Sequence, residues 1–322
     1  MELVNRTPTH QRSQDVEQLL ARLEEVLAPI EKQLSNNNLN LQKPIFLIVG
    51  CARSGTTLIS QFLAQTTYFA YPSNLMSRFY YATHLGSILH KLLIDYDFKH
   101  EIFNPLTSSD QFQSQLGKTT GANAPHEFWY FWRRFFKFDE IQVLSESALQ
   151  NVDERGFISE LAAMEEVFDK PLMMKAMIMN WHISYLHKIL NKAHFIYVRR
   201  DIASNAQSLL EARKAFYNDA NKWYSFKPPE YNTLQSQPIV SQVAGQVYYT
   251  NKAIEKQLAL LPDSSYTIVD YEDFCANPIG LIIDLNKIED VHIPQLPDYH
   301  VKTPKSAEPD FEHQVNSFLS TL

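Results

Sequence analysis

The first candidate site is a glycine-bracketed loop between an apolar run and a helical pattern. The apolar run Ile45–Val49 leads into Gly50–Thr57, in which the second glycine is followed by two threonines. Glycines at a strand-to-helix turn let backbone N–H groups surround an anion at the helix N-terminus. Nucleoside triphosphatases have a lysine where Thr56 stands here, and Arg53 lies inside the loop instead. We therefore expect the loop to bind a single phosphate-type group; the alternative is a tight turn without a ligand.

A second candidate anion site follows the apolar run Phe195–Val198. This run ends in two arginines and turns directly into a helical pattern. Arg200 at the strand end and Ser208 two helical turns later can converge on one anion beside the sheet. In the alternative interpretation, Arg200 pairs with a carboxylate of the following helix, that of Asp201 or Glu211.

A lysine interrupts another apolar run, Leu172–Met177. Lysine is rare in so hydrophobic a strand unless it lies at the strand end or has an anionic partner. Lys175 is therefore, together with Arg53, a candidate for stabilising negative charge during a reaction. The alternative is an edge residue whose ammonium group reaches solvent.

Two candidate proton acceptors lie beside an aromatic block, residues 128–136. His126 and Glu127 directly precede this block. Aromatic surroundings would raise the pKa of a glutamate toward neutrality or keep a histidine uncharged, and either suits a general base. We expect Glu127 to be the base, with His126 as the next candidate. Pairing of Glu127 with Arg133 or Arg134 along a helix is the structural alternative.

Short β-rich runs alternate with longer helical patterns, which is typical of an α/β domain with a parallel sheet flanked by helices. The predicted strands are Ile45–Val49, Leu172–Met177, Phe195–Val198 and Tyr266–Val269, and the predicted helices are Thr57–Gln65, Trp181–Leu190, Ile202–Arg213 and Ser241–Leu260. The segments 66–170 and 214–240 are long, aromatic and irregular. We expect them to form a helical cap and loops that shape a substrate cleft.

Residues 1–40 are predicted to form a helical appendage on a single α/β domain, residues 41–322. From Asp15 to Leu34, apolar residues recur at helical spacing with charges between them, and Ser35–Asn38 breaks the pattern. This N-terminal helix packs on the main domain or pairs with a second subunit in a homodimer. Both alternatives are open at this point.

Composition excludes several classes of protein. The 322 residues are 45% hydrophobic, which is enough for a sizeable core and excludes disordered and fibrous structure. The net charge of -7 argues against a broad nucleic-acid-binding face. The longest uncharged apolar stretch, Pro44–Ala52, is far short of a membrane span, and no secretory signal or cluster with metal-ligand spacing is visible. With only two cysteines, we expect a cytoplasmic protein without a disulfide framework.

The two anion sites together resemble the sulfotransferases that use 3′-phosphoadenosine-5′-phosphosulfate (PAPS) as donor. Arg53–Thr57 matches the family's loop of the form P-R-S-G-T-T, which grips the 5′ phosphosulfate. Arg200 with Ser208 matches the pair that grips the 3′ phosphate, and Val269–Phe274 is similar to the family's late strand and Y-E-D turn. The resemblance spans residues 44–290 and implies a phosphate-loop architecture like that of nucleotide kinases.

The resemblance implies PAPS as co-substrate and sulfonyl transfer to a hydroxyl of a small-molecule or saccharide acceptor, without a metal. Because members often carry a catalytic lysine at the end of the strand 172–177, it also favours a catalytic Lys175. The implied donor-binding residues are Arg53, Ser54, Gly55, Thr56, Thr57, Arg200 and Ser208. The catalytic candidates are Lys175, Glu127, His126 and Arg53.

Three positions depart from the family pattern. Ala52 and Ile202 stand where prolines are common, and Asn74 stands where some members carry a glutamate as general base. The missing glutamate leaves a non-catalytic nucleotide-binding protein as an alternative function. The loop and fold also leave a phosphotransferase of the nucleotide-kinase type, although the missing loop lysine counts against it.

Overall fold

A parallel sheet of four strands lies at the centre of the fold. The computed structural model describes residues 6–11, 13–34, 40–97, 99, 101–102, 112–294, 301 and 303–322. The strands of these residues are β1 (Ile45–Gly50), β2 (Gln113–Gln115), β3 (Lys118–Thr120), β4 (Leu172–Lys175), β5 (Ala193–Arg199) and β6 (Tyr266–Asp270). The sheet has the order β4-β1-β5-β6 and is parallel throughout, whereas β2 and β3 form a separate antiparallel hairpin.

Helices connect the strands and cover both faces of the sheet. In the described part of the chain, the α-helices are α1 (Gln14–Leu34), α2 (Thr56–Gln65), α3 (Thr83–His90), α4 (Trp129–Phe135), α5 (Glu146–Gln150), α6 (Glu154–Phe168), α7 (Ile183–Ile189), α8 (Ile202–Tyr217), α9 (Tyr231–Gln235), α10 (Ile239–Leu258), α11 (Tyr271–Ala276), α12 (Pro278–Leu285) and α13 (Pro309–Leu319). No helix among the described residues combines the length and the hydropathy that a bilayer-spanning segment requires.

Alternate residues of the central strands enter two hydrophobic cores, one on each face of the sheet. In β1, Ile45, Leu47 and Val49 pack in the core that includes α8 and α10. Phe46 and Ile48 pack in the core that includes α2 and α12. Because both faces are covered, β1 is buried along its whole length and its sequence is a continuous apolar run. Polar side chains can therefore meet a ligand mainly at the carboxyl ends of the strands.

The predicted α/β class and the four predicted sheet strands are confirmed, with differences at the ends of elements. Strand β4 ends at Lys175 because Met177–Met179 forms a short 3₁₀ helix. The hairpin of β2 and β3 has no counterpart in the sequence prediction, since each of its strands has three residues and both are polar. The predicted break at Ser35–Asn38 lies outside the described residues.

Helix α1 packs on the cap segment of its own chain. Leu20 is buried against it. At the C-terminal end of α1, the Glu31 carboxylate accepts hydrogen bonds from the Thr83 hydroxyl (3.2 Å) and the His84 N–H (2.5 Å), both at the start of α3. Of the two alternatives predicted for this helix, packing on its own chain is therefore observed.

Candidate active site

The loop between β1 and α2 is held in shape by two amide side chains from outside it. Asn180 accepts the Gly50 N–H (3.2 Å) and donates to the Gly50 carbonyl (2.9 Å). No side chain fits at Gly50, because a Cβ there would lie 2.5 Å from the Val198 carbonyl oxygen of β5. Further along the loop, Asn205 of α8 donates to the Ala52 carbonyl (2.8 Å). The backbone of the loop is thus fixed against two elements that follow it in the chain.

The second glycine of the loop packs against an aromatic ring. Gly55 has a φ of +107°, and a Cβ at this position would lie 2.3 Å from the Tyr271 ring. The Arg200 guanidinium lies over the same ring, 4.8 Å from its centroid. Because Tyr271 contacts both groups, its ring sets the spacing between the loop and Arg200, which directly follows β5.

Arg53, Arg200 and Ser208 belong to two separate sequence motifs, and the structure brings them together. Arg53 Nε donates to the Ser208 hydroxyl (3.3 Å), and Arg200 Nη1 donates to the Arg53 carbonyl (3.4 Å). The alternative pairing of Arg200 with Asp201 is not formed, because Asp201 caps the start of α8. The Glu272 carboxylate lies 3.9 Å from Arg200 Nε. The two predicted anion sites are therefore parts of one basic cluster.

Lys175 connects the loop to a carboxylate. At the end of β4, its Nζ donates to the Thr57 hydroxyl (2.8 Å) and to Glu127 Oε1 (2.6 Å). The strand register places Lys175 opposite Ile48, close to the point where β1 enters the loop. The lysine side chain is only 4% exposed, so the alternative of an ammonium group that reaches solvent is wrong.

Glu127 has hydrogen-bond donors on both carboxylate oxygens. Oε1 accepts from Lys175 and Oε2 from the Trp129 indole N–H. Burial alone would raise the pKa of Glu127, but the Lys175 ammonium and these hydrogen bonds lower the pKa below its usual range. The expectation that aromatic surroundings raise this pKa toward neutrality is therefore wrong. The alternative pairing with Arg134 is not formed either, because Arg134 pairs with Glu160 of α6.

His126 uses its basic nitrogen within the chain. Nδ1 accepts the Phe128 N–H (2.9 Å), so the proton of the neutral ring is on Nε2. Burial is the main cause that lowers the pKa of His126 to about 4, and the charge of Lys175 also lowers it. The charge of Glu127 raises this pKa, but its effect is smaller than that of burial. The ring is uncharged at neutral pH, as expected from the sequence, but its acceptor nitrogen is already occupied.

Apolar and aromatic side chains enclose the charged pair in a small cleft. Its lining residues are Glu127, Trp129, Lys175, Met177 and Ile178. The Trp129 ring lies 5.2 Å from the Phe226 ring, which in turn lies 6.4 Å from Trp181. The pKa of the nearby Tyr224 phenol is raised to about 12 by burial and by the charge of Glu127. The Lys175–Glu127 ion pair is therefore the charged part of a largely apolar cleft.

The β2–β3 hairpin lies over the anion-binding loop. At its tip, a Cβ on Gly117 would lie 3.4 Å from Arg53 Nη1 and 3.7 Å from Thr57 Oγ1. The Asn74 amide donates to the Gly121 carbonyl just after β3 (2.8 Å) and so anchors the hairpin. Asn74, which stands where some members of the family carry a glutamate base, thus makes a structural contact in this chain.

Asn180 and Asn205 are site residues that sequence reasoning missed. Both are amides that are 0% exposed. Asn180 lies in the apolar stretch Met177–Trp181, whereas Asn205 lies among polar residues of α8 such as Ser204 and Gln207. A buried amide requires hydrogen-bond partners; the loop backbone provides them for both polar atoms of the Asn180 side chain and for the amide nitrogen of Asn205. An isolated Asn in the apolar segment Met177–Trp181 is the signal that could have identified Asn180, whereas Asn205 has polar neighbours and gives no such signal.

Two buried polar atoms at the basic cluster have no hydrogen-bond partner among the described residues. They are Ser54 Oγ and Arg200 Nε. An unpaired buried polar group costs about 1–3 kcal/mol, which is offset if a ligand supplies the partner. Together with the backbone N–H groups of the loop, these donors fit a phosphate-bearing nucleotide. Within the described residues, no group of three or more His, Cys, Asp or Glu side chains is arranged to hold a metal ion.

A comparison with protein families identifies the class to which the chain belongs. The sequence pattern described as Sulfotransferase family matches residues 44–288. The match covers more than half of the chain and includes both anion-binding motifs, so the chain belongs to the sulfotransferase family. No curated protein sequence matches the chain.

Two solved structures share the fold. Sulfotransferase STF9 from Mycobacterium avium has a TM-score of 0.56 and 14% sequence identity, with 100% of this chain and 79% of that chain covered. Sulfotransferase STF1 from Mycobacterium tuberculosis H37Rv has a TM-score of 0.53 and 11% identity, with 94% and 80% covered. At these identities the similarity concerns the fold, and it confirms the predicted sulfotransferase architecture.

We expect Gly55→Ala to weaken binding of 3′-phosphoadenosine-5′-phosphate (PAP) by at least about 10-fold, or about 1.4 kcal/mol. The added Cβ would displace Tyr271 and, through it, Arg200. Gly121→Ala is the matched control, because Gly121 has a φ of +102° but no atom within 4 Å of the added Cβ. Isothermal titration calorimetry measures both affinities. Equal affinities for the two variants would contradict the role of the Gly55–Tyr271 contact.

Proposed function

We propose that the chain transfers the sulfonyl group of PAPS to a hydroxyl of a small-molecule or saccharide acceptor. One observation carries this proposal: Lys175 bridges Thr57 of the anion-binding loop and Glu127 of the adjacent cleft. A cation and a carboxylate thus lie side by side between a donor site and an acceptor site. Sulfonyl transfer needs both, a cation for the leaving oxygen and a base for the acceptor proton.

In this proposal, the loop and the basic cluster hold the donor. Arg200 and Ser208 bind the 3′ phosphate, and Arg53, whose Nε donates to Ser208, lies where the two subsites adjoin. The unpartnered Ser54 Oγ and Arg200 Nε support this assignment. The residues assigned to the 5′ phosphosulfate are Arg53, Ser54, Gly55, Thr56 and Thr57.

Lys175 supplies positive charge where nucleotide kinases use a metal ion. In their phosphate loops, the hydroxyl of the residue after the loop lysine coordinates Mg²⁺. Thr57 has the corresponding position here, and its hydroxyl accepts a hydrogen bond from the Lys175 ammonium. Thr56, at the position of the loop lysine, directs its hydroxyl to the Met177 sulfur (3.1 Å). These contacts favour sulfonyl transfer over phosphoryl transfer.

Glu127 is the proposed general base. Its lowered pKa keeps it ionised at neutral pH, whereas Nδ1 of His126 is already bonded to Phe128. In the reaction, the acceptor oxygen forms the new bond to sulfur, its proton passes to Glu127, and the bond from sulfur to the phosphate oxygen breaks. As Lys175 turns toward the negative charge on that leaving oxygen, Oε1 of Glu127 is free to receive the proton.

The cleft favours an acceptor with an apolar or ring-shaped part next to its hydroxyl. Apart from Lys175 and Glu127, the lining consists of Trp129, Met177 and Ile178. An indole face can stack on an aromatic ring or on the apolar face of a sugar. Phenols and saccharides both satisfy this requirement, and both belong in the acceptor panel used to measure transfer.

We expect Arg200→Ala to weaken PAP binding by about 10- to 100-fold, since a hydrogen bond to a charged group contributes about 1.5–3 kcal/mol. Arg199→Ala is the matched control: it removes the same charge from a neighbouring residue, and Arg199 pairs with Asp270. Adenosine 5′-monophosphate lacks the 3′ phosphate, so its affinity should be equal in the wild type and Arg200→Ala. Isothermal titration calorimetry measures the affinities of all three proteins for PAP and of the wild type and Arg200→Ala for adenosine 5′-monophosphate.

Failure of the wild type to bind PAP would contradict the proposed donor. Nucleotide binding that requires Mg²⁺ would instead support a phosphotransferase. Bound PAP without transfer of radiolabelled sulfonyl groups to any acceptor in the panel would support a non-catalytic nucleotide-binding protein.

We expect Trp129→Phe to move the acidic limb of the pH profile of kcat/KM to higher pH. The Trp129 indole N–H is one of the groups that lower the pKa of Glu127, so its loss raises this pKa, and a base must be ionised to act. Trp181→Phe is the control, because Trp181 packs on Phe226 and its indole nitrogen has no described hydrogen-bond partner. An acidic limb that stays in place in Trp129→Phe would remove Glu127 from the role of base.

A further inference from the structure

A buried arginine of α8 lies behind one wall of the cleft. Arg213 is 0% exposed, and burial lowers its pKa to about 10, so it stays charged at neutral pH. Its Nη1 donates to Gln242 Oε1 (2.8 Å) and its Nη2 to Gln246 Oε1 (3.3 Å), both on α10. The guanidinium also lies over the Trp223 ring, 4.6 Å from its centroid. In the described part of the chain, this buried cation is thus hydrogen-bonded to uncharged groups, although a carboxylate would stabilise it more strongly.

The guanidinium determines which way the Gln246 side chain faces. A guanidinium only donates hydrogen bonds, so the side-chain oxygen of Gln246 faces Arg213 and its NH₂ group faces away. This NH₂ group donates to the carbonyls of Tyr224 and Phe226, both at 2.9 Å. Gln246 is 1% exposed. One buried amide therefore holds two backbone carbonyls of the loop between α8 and α9.

Residues 224–226, here called the cleft turn, have a conformation that needs such support. Ser225, between the two carbonyls, has a φ of +69°, which is unfavourable for a residue with a side chain. The Trp223 indole N–H donates to the Phe226 carbonyl as well (2.9 Å). The cleft turn keeps its shape because side chains from outside it bond its backbone.

The aromatic side chains of the cleft turn reach the surroundings of the proposed base. The Phe226 ring is 3% exposed and lies 5.2 Å from the Trp129 ring, whose indole N–H donates to Glu127. The charges of both Glu127 and Arg53 act on the Tyr224 phenol. The backbone of the cleft turn therefore sets the position of a wall that extends to the carboxylate.

We propose that Gln246, oriented by Arg213, is a positioning residue of the acceptor cleft. Its amide fixes the cleft turn, and Phe226 on that turn packs on Trp129 beside Glu127. Gln246 acts through the cleft turn, which determines how well the ring of an acceptor fits against the wall. This role rests on the proposed function, since it is there that the cleft is assigned to the acceptor.

A second glutamine of α10 provides a matched control. Gln242 lies about one helical turn before Gln246, and its side-chain oxygen also accepts from Arg213. Its NH₂ group also donates to two carbonyls, those of Gln235 (3.3 Å) and Gln237 (2.9 Å), which lie at and just after the end of α9. The two glutamines share the helix and the arginine, and they differ in the backbone that they hold.

We expect Gln246→Glu to raise the KM for the acceptor by at least about 10-fold. The new carboxylate accepts from Arg213 but cannot donate, so the cleft turn loses both hydrogen bonds. Gln242→Glu places the same charge beside Arg213 and should keep this KM within about threefold of the wild type. Gln246→Met and Gln242→Met repeat the comparison without a buried carboxylate. PAP affinity, measured by calorimetry, should stay within about threefold of the wild type in all four variants.

Hydrogen–deuterium exchange of residues 222–228 tests the cleft turn without a reaction. The Lys227 N–H, directly after the turn, donates to Gln142 Oε1 (2.7 Å) and is protected while this region is closed. We expect it to exchange at least about 10-fold faster in each Gln246 variant than in the matching Gln242 variant.

Equal acceptor KM values in the matched variants, with a wild type that transfers sulfonyl groups, would overturn the positioning role of Gln246. Equal exchange at Lys227 would overturn it as well. A wild type that transfers no sulfonyl group would contradict the proposed function instead. Faster exchange in the Gln246 variants would even then support the hold of Gln246 on the cleft turn.

Discussion

A buried ion pair between Lys175 and Glu127 joins the two halves of the site. Taking two charges out of water costs several kcal/mol per ion, and their attraction offsets this only when their other hydrogen-bonding groups are satisfied. The Thr57 hydroxyl provides such a partner for the ammonium, and the Trp129 indole provides one for the carboxylate. Removing one charge would leave the other buried and unpaired. The loop, the end of β4 and the cap are therefore coupled through this pair.

The elements around the pair hold it from both sides. The register of β4 on β1 places Lys175 next to the entry of the loop. On the cap side, Glu127 directly precedes α4, and Trp132 of α4 donates to the Lys175 carbonyl (3.1 Å). The same helix is bonded through Tyr130 to α1 on its outer side. Helix α4 thus transmits the position of the N-terminal helix to the lysine at the centre of the site.

The parts of the site that are local in sequence could be predicted. The loop Gly50–Thr57 and the segment with Arg200 between β5 and α8 are strand-to-helix turns, in which a few adjacent residues determine both conformation and chemistry. In the structure the two turns lie together, because Arg53 of the loop donates to Ser208 of the second motif. The central strands were equally clear, because strands covered on both faces are continuous apolar runs.

The parts that depend on long-range contacts could not be predicted. Glu127 is separated from Lys175 by 48 residues, and without knowledge of that contact its aromatic neighbours indicated the wrong direction for its pKa. His126 is the next candidate after Glu127 on sequence alone, and the hydrogen bond from the Phe128 backbone to its Nδ1 is a contact that the sequence does not reveal. The hairpin that covers the loop consists of short polar strands, whose pairing carries little signal in sequence.

The most direct test of the central role of Lys175 is the single-turnover rate of Lys175→Met with radiolabelled PAPS and the best acceptor of the panel. Methionine keeps the length of the side chain and removes the charge. We predict that this variant binds PAP within about threefold of the wild type, whereas sulfonyl transfer slows by at least about 100-fold, or about 2.7 kcal/mol. Transfer at the wild-type rate, with PAP binding intact, would contradict the proposed role of the buried pair.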